Sequence, residues 1–174
     1  VQARRPETHL IRLATPADIP AMTDLERASP TAAHWTPDQY HDAFDCGSVE
    51  RLVLVAETLP SAASDEETRT DAAFLQGFLV ARHVAAEWEL ENIVVAPSAR
   101  RQGLGQRFLN ALLAAAQETN SNSVFLEVRE SNAAARSLYE KSGFELTGRR
   151  KSYYTNRAED AVLYRLSLGI KRFS

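Results

Sequence analysis

The sequence predicts an α+β domain organised around one strand–helix–strand unit, and three stretches predict it. Residues 89–95 (ELENIVV) and 124–128 (VFLEV) are short apolar runs of strand length. Between them Leu104, Phe108, Leu112 and Ala116 recur four apart, with Leu109 and Leu113 beside them, which is the spacing of one buried helix face. A strand, a crossover helix and a second strand make a βαβ unit, whose strands run parallel. The third stretch, RRQGLG at residues 100–105, lies where the first strand gives way to the helix.

The remaining elements follow in order. Residues 9–14 alternate enough to form an edge strand. Thr15 and Pro16 with Asp18 open a helix that carries Ile19, Met22, Leu25 and Glu26 and runs to about Ser29 and Pro30. A second helix starts with Thr36 as cap and Pro37 at the first position, and Tyr40 and Phe44 are spaced as an apolar pair on it. Residues 51–57 (RLVLVAE) and 74–82 (FLQGFLVAR) read as strands, with Gly77 a bulge candidate in the second. Residues 58–73 between them are acidic and poor in apolar side chains, a loop insertion longer than a hairpin requires. Residues 87–96 lead into the central unit. Beyond it, Ser131 and Asn132 cap a helix over residues 133–141 that stops at Gly143. Residues 144–147 begin another strand, Tyr153 and Tyr154 with Thr155 and Asn156 make a hairpin tip, and residues 161–168 form the last strand. The 174 residues thus read as one domain, preceded by a loose arm at residues 1–8.

Composition narrows the function classes. With 20 basic against 23 acidic side chains, a net charge of -3 argues against a general nucleic-acid surface. No apolar run is long enough to span a bilayer, and no charged-then-apolar leader precedes the domain. The single cysteine, Cys46, allows no internal disulfide and is far in sequence from the glycine turn. A cytoplasmic protein with no metal, no membrane and no direct nucleic-acid partner is expected.

The turn points to an anion. Its glycines let the backbone approach a ligand closely, so that the unpaired amides of a helix start can face phosphate oxygens. No Lys-Ser/Thr follows the second glycine, which excludes a Walker loop. Phe108 stands where a dinucleotide fingerprint needs its third glycine. What remains is RxxGxG, with Arg100, Arg101 and Arg107 adding positive charge; a basic surface turn without a ligand is the plain alternative. In the second strand, alternation sets Val124, Leu126 and Val128 on one face and Phe125 and Glu127 on the other. A carboxylate in so apolar a strand is functional, hydrated in a cleft, or paired with a neighbour such as Arg129. Asn132 is explained by capping alone, and Tyr139, two turns along the same helix, by core packing alone.

Together, RRQGLG, LEVRESNAAARSLYEKSGF and RRKSYYTNRAEDA resemble the GNAT superfamily of acyl-CoA N-acyltransferases, and within it the RimI branch, which acetylates the N-terminal alanine of a ribosomal protein. The similarity covers residues 10–166. It implies the GNAT fold: one mixed, mostly antiparallel twisted sheet of seven strands with four helices and a central βαβ acetyl-CoA unit. It further implies that Ile93, Val94 and Val95 offer backbone groups to the acetyl and pantetheine arm, that Arg101, Gln102, Gly103, Leu104, Gly105 and Gln106 hold the pyrophosphate, and that Asn132 contacts the pantetheine. Glu127 would accept a proton and Tyr139 donate one, with Glu89 and Glu91 as alternative bases. Trp35, on a loop, is either a plug over the core or an acceptor contact, and Tyr153 and Tyr154 would border the acceptor. The implied partners are acetyl-CoA and a protein N-terminus. The acidic insertion, the short hairpin tip and Tyr164 depart from the branch and leave the acceptor open: a lysine side chain, a small amine, or a CoA-binding module without catalysis are the other readings.

Overall fold

A computed structural model describes residues 9–45, 47, 49–58, 74–154 and 159–169. Seven strands, β1 (His9–Leu13), β2 (Glu50–Thr58), β3 (Leu75–Val84), β4 (Glu87–Val95), β5 (Ser123–Arg129), β6 (Glu145–Tyr154) and β7 (Glu159–Ser167), form one sheet in the order β1-β2-β3-β4-β5-β7-β6. The central pair β4–β5 is parallel and every other pair antiparallel. Helix α3 (Leu104–Glu118) is the crossover between β4 and β5; α1 (Ile19–Arg27), α2 (Pro37–Phe44) and α4 (Ala133–Lys141) complete the set. The expected edge strand is β1. The arm at residues 1–8, Cys46, and all but Thr58 of the insertion at residues 58–73 lie outside the described residues.

Local chemistry sets the helix ends. Thr15 and Asp18 form a capping box on a short 3₁₀ turn, Pro16–Asp18, that feeds α1. Thr36 accepts from the Gln39 N–H while Gln39 accepts from the Thr36 N–H, so α2 begins at Pro37. α1 stops at Arg27, short of the proline, because the Ser29 N–H and hydroxyl turn back onto the Glu26 and Leu25 carbonyls. Gly143 at φ +89° ends α4 in the left-handed conformation that glycine adopts without strain.

The sheet separates two cores. Leu104, Phe108, Leu109, Leu112 and Ala116 of α3 are fully buried with Tyr139 of α4 against Leu79, Trp88, Leu126 and Tyr164. Each such leucine or phenylalanine contributes about 1.5–3 kcal/mol. On the other face Ile19, Met22, Tyr40 and Ala43 from α1 and α2 pack on Val53, Val55, Phe78, Val80 and Val94.

Two bulges interrupt the ladders on either side of β3. Between β2 and β3, Ala56 pairs with Gly77 and Glu57 with Leu75, so Gln76 is the extra residue and the bulge falls one position before the expected glycine. Gly77 answers a close approach instead: a Cβ there would lie 2.8 Å from the Val94 carbonyl oxygen and 3.0 Å from Phe108 Cε2. The second bulge has no sequence signal. Val80 pairs with Asn92 and Ala81 with Leu90, leaving Glu91 unpaired. An extra residue flips everything that follows. Trp88 and Leu90 face α3 before the bulge, and Ile93 and Val95 do so after it, whereas Asn92 and Val94 turn to α1 and α2. Just here β4 leaves β5: their pairing runs from Glu87↔Ser123 to Leu90↔Leu126 and stops.

A buried carboxylate fixes the bulge. Glu26, 1% exposed, accepts from Asn92 Nδ2 (2.6 Å) and from the Trp35 N–H (2.9 Å). Burial and the nearby Glu26 carboxylate push the Tyr40 hydroxyl well above its ordinary pKa. Glu26→Ala strands the two donors in an apolar site at about 1–3 kcal/mol each. The variant is expected to lose about 2–4 kcal/mol of unfolding free energy, read as a lower urea midpoint.

Candidate active site

The glycine turn is built for exposed amides. After Val95 a short 3₁₀ turn, Pro97–Ala99, leads to Arg101 at φ +62° and Gly103 at φ +80°. Left-handed backbone is free for Gly103 and costly for Arg101, so strain is concentrated in this turn. The Arg107 N–H makes the first helical bond, to the Gly103 carbonyl (3.0 Å). The amides of Leu104, Gly105 and Gln106 therefore lack a helical acceptor, and the helix dipole adds partial positive charge there. Gly105 lies close against α4, since a Cβ on it would stand 3.0 Å from Leu138 Cδ2. Ser142 ties the same two helices by donating to Gln106 Oε1 (3.1 Å).

The parted strands supply the other wall. The Ala96 N–H bonds to the Gln76 carbonyl (2.8 Å), so by ladder alternation Val94 bonds toward β3 while Ile93 and Val95 point their peptide groups into the gap left by β5. The Val95 carbonyl accepts from Arg100 Nε (3.1 Å). The result is a cleft of about 580 Å³ that gathers Ile93, Val94, Val95, Arg101, Gly103, Leu104, Gly105, Gln106, Asn132 and Tyr139. Of the residues expected at a cofactor, Gln102 alone is not on this wall; its amide donates to the Ser98 carbonyl (2.9 Å) and braces the turn. Asn132 does both things considered for it, capping α4 through the Ala135 N–H (3.2 Å) and lining the cleft.

A smaller cavity of about 80 Å³ opens from the first and shares Thr31, Ala32, Ile93, Asn132, Ala135 and Tyr139 with it. Glu91, Asn92, Glu127 and Arg129 complete its polar lining. Tyr139 is 4% exposed, its ring 5.9 Å from that of Phe144 and 6.2 Å from that of Tyr164. Core packing and cleft lining are thus both true of it. Glu127 is paired, but with Arg150 Nη2 (3.0 Å) on β6; the expected partner Arg129 lies 3.6 Å from Glu159. Glu89 accepts from Arg82 Nε (2.6 Å) and is not a cavity residue. Glu91 pairs with Arg51 and, at 3.5 Å, Arg82; burial pushes its carboxyl above the usual range while the two arginines pull it back.

The expected acceptor contacts fare differently. Trp35 lies with its ring 5.3 Å from that of Tyr40 and lines neither cavity, so it packs over the core. The loop instead presents Thr31, Ala32 and Ala33, which no sequence pattern marked. Tyr153 is 49% exposed under the Arg150 guanidinium (5.5 Å) and outside both cavities, and the Tyr154 side chain is not among those described. Among the described residues no group of histidine, cysteine and carboxylate side chains suits a metal ion, and no helix is long and apolar enough to cross a membrane.

A parted parallel pair beside a glycine-capped helix, inside a mixed seven-stranded sheet, is the architecture of an acyl-CoA-dependent transferase. Residues 19–144 match the acetyltransferase (GNAT) family, and the chain belongs to it: it is an acetyl-CoA-dependent N-acetyltransferase. It is similar to the ribosomal protein bS18-alanine N-acetyltransferase of Escherichia coli K12, 38% identical over 98 residues that span 55% of this chain and 66% of that relative. The crystal structure of the E. coli ribosomal-protein-S18-alanine N-acetyltransferase superposes with a TM-score of 0.72 at 26% identity, covering 96% of this chain and 99% of that one. A GNAT family acetyltransferase from Elizabethkingia anophelis, solved with acetyl-CoA bound, shares the fold at a TM-score of 0.69 and 20% identity, covering 92% of this chain and 98% of that one.

The contact of Gly105 with Leu138 gives a direct check on the cleft. Gly105→Val drives a branched side chain against α4, an overpacking cost of about 1–3 kcal/mol. Calorimetric titration is expected to show acetyl-CoA binding weakened about tenfold, with the helical circular dichroism kept.

Proposed function

We propose that the chain transfers an acetyl group from acetyl-CoA to the α-amine of a protein N-terminus, with alanine of a small-subunit ribosomal protein as the acceptor. The observation that carries this reading is the small cavity: Glu127 and Tyr139 line it together, and it opens directly onto the cleft beside Ile93. Its 80 Å³ is about six times what one water needs, which leaves room for an entering amine and its Cα. Ala32 and Ala33 keep it small. The similarity to the E. coli alanine acetyltransferase supports the same acceptor, and a ribosomal substrate implies a cytoplasmic enzyme.

In this reading the free amides of Leu104, Gly105 and Gln106 hold the diphosphate with Arg101, Asn132 borders the pantetheine arm, and the peptide groups of Ile93 and Val95 align the thioester. An α-amine has a reference pKa of about 7.7–8.0 against about 10.4 for lysine, so near pH 7 little is needed to free its lone pair. Glu127, directly or through a water, takes that proton. The amine attacks the thioester carbonyl, whose oxygen gathers negative charge beside the Ile93 or Val95 N–H. As the C–S bond breaks, the attacking nitrogen releases its second proton to solvent, while Tyr139 protonates the departing thiolate and regains a proton from solvent. No enzyme-bound acyl group is required.

Glu127→Gln and Tyr139→Phe are each expected to lower kcat about a hundredfold or more, with acetyl-CoA affinity unchanged. Thiol release with peptides that differ at the first residue tests the acceptor. Turnover of Ala- and Ser-initiated peptides with rejection of Leu supports the reading, and faster turnover of an internal lysine or a polyamine replaces it.

A further inference from the structure

Three carboxylates on this face of the sheet are answered by arginines. Glu89 pairs with Arg82, its register partner on the adjacent strand β3, and Glu91 with Arg82 and, across β3, with Arg51 of β2. Glu127 has no such neighbour, because β4 has already parted from β5 and the register partner on β7 is Leu163. Arg150 reaches it from β6, with all of β7 between them. The geometry permits this for one reason. Arg150 pairs with Ala161 and Glu127 with Leu163, and Ala161 and Leu163 are two apart on β7, so all four share a face. Ala161 is small enough for an arginine from β6 to pass over it.

The held group is loosely held from the other side. The Arg150 side chain is 54% exposed, with Nη2 3.0 Å from Glu127 Oε1 and the guanidinium centre 5.5 Å from the Tyr153 ring, itself half-exposed. The regular pairing of β6 with β7 is lost after Arg150 and resumes at Tyr154↔Glu159. Arg149, beside it, is engaged with Glu130. A guanidinium that is more than half exposed, with a ring to rest on and open solvent behind, can leave its carboxylate at low cost.

We propose that Arg150 keeps the place of the acceptor's ammonium: it satisfies Glu127 while the acceptor cavity is empty and yields the carboxylate to an incoming cationic amine. A mostly buried carboxylate is costly to leave unpaired, and exchange of one N–H-bearing cation for another avoids that cost. Arg150 is then a specificity-determining residue, since a neutral amide or hydroxyl cannot take its place, and the arginine competes with every acceptor that binds. The inference rests on the assignment of Glu127 as the group that meets the amine.

The test is steady-state thiol release from acetyl-CoA with an Ala-initiated peptide, for wild type, Arg150→Gln, Arg150→Lys and Glu127→Gln. Removal of the competing cation is expected to lower KM for the peptide about two- to fivefold in Arg150→Gln and to raise kcat/KM by the same factor, the population shift expected of a half-exposed ion pair. Arg150→Lys is expected to keep the wild-type KM. Methylguanidinium is expected to compete with the peptide in Arg150→Gln and to have no effect on wild type, whose site is already filled. An unchanged or raised KM in Arg150→Gln, or a fall in kcat that lysine restores, overturns the proposal, the last two assigning Arg150 to the acceptor or to Glu127 orientation. Full turnover in Glu127→Gln instead overturns the base assignment, and the competition with it.

Discussion

The separation of β4 from β5 after Leu90 is the constraint on which the rest of the molecule depends. Two parallel strands bonded along their whole length would leave no main-chain group for a ligand. Here the pairing ends after four residue pairs, and the peptide groups of Ile93 and Val95 are left facing a space instead of a strand. The bulge at Glu91 gives the parting its consequence, since it rotates β4 so that Ile93 and Val95 lie over α3 while Asn92 turns the other way onto Glu26. Without the extra residue, Asn92 would be driven into the apolar layer beneath α3. A polar side chain there, unpaired, is the kind of error that cores do not tolerate.

The two faces of the parted sheet have different chemistry. On the α3–α4 side the cleft combines apolar walls with amides of a helix start and arginines, which suits a long, polyanionic substrate. On the α1–α2 side, Glu89, Glu91 and Glu127 on β4 and β5 are flanked by Arg51 and Arg82 on β2 and β3 and by Arg150 on β6. Charges so paired hold each other in place and leave no strong general field at the small cavity. Tyr139 stands where the cleft and the cavity meet. The opening between the strands is thus where an acyl donor from one side can meet an amine from the other.

Legibility in the sequence followed the range of the interaction. The glycine turn, the Thr36 and Asn132 caps, the alternation of β5 and the four-residue period of α3 are set by residues within one or two turns of each other, and all were readable. Glu127 stands out locally as a carboxylate in an apolar strand, whereas Tyr139 reads as core packing and is singled out only by the resemblance to the GNAT superfamily. What could not be read depends on register. The bulge at Glu91 has no glycine to announce it, and the Glu127–Arg150 pair joins strands two places apart in the sheet, so the nearer Arg129 was the natural partner to expect. Thr31, Ala32 and Ala33 line the small cavity on a loop that Glu26 holds through the Trp35 amide, next to the Trp35 ring packed toward Tyr40 and away from the cleft.

Amide hydrogen exchange resolved to single residues along β4, with and without acetyl-CoA, tests the central claim most directly. Peptide groups turned into an open gap are unprotected until a ligand bonds them, whereas those already in the ladder to β3 do not change. The account predicts that Ile93 and Val95 gain protection on addition of acetyl-CoA while Val94 and Phe78 stay as they were. Equal protection of Ile93, Val94 and Val95 in the free protein, or protection gained elsewhere and not at Ile93 and Val95, would contradict it.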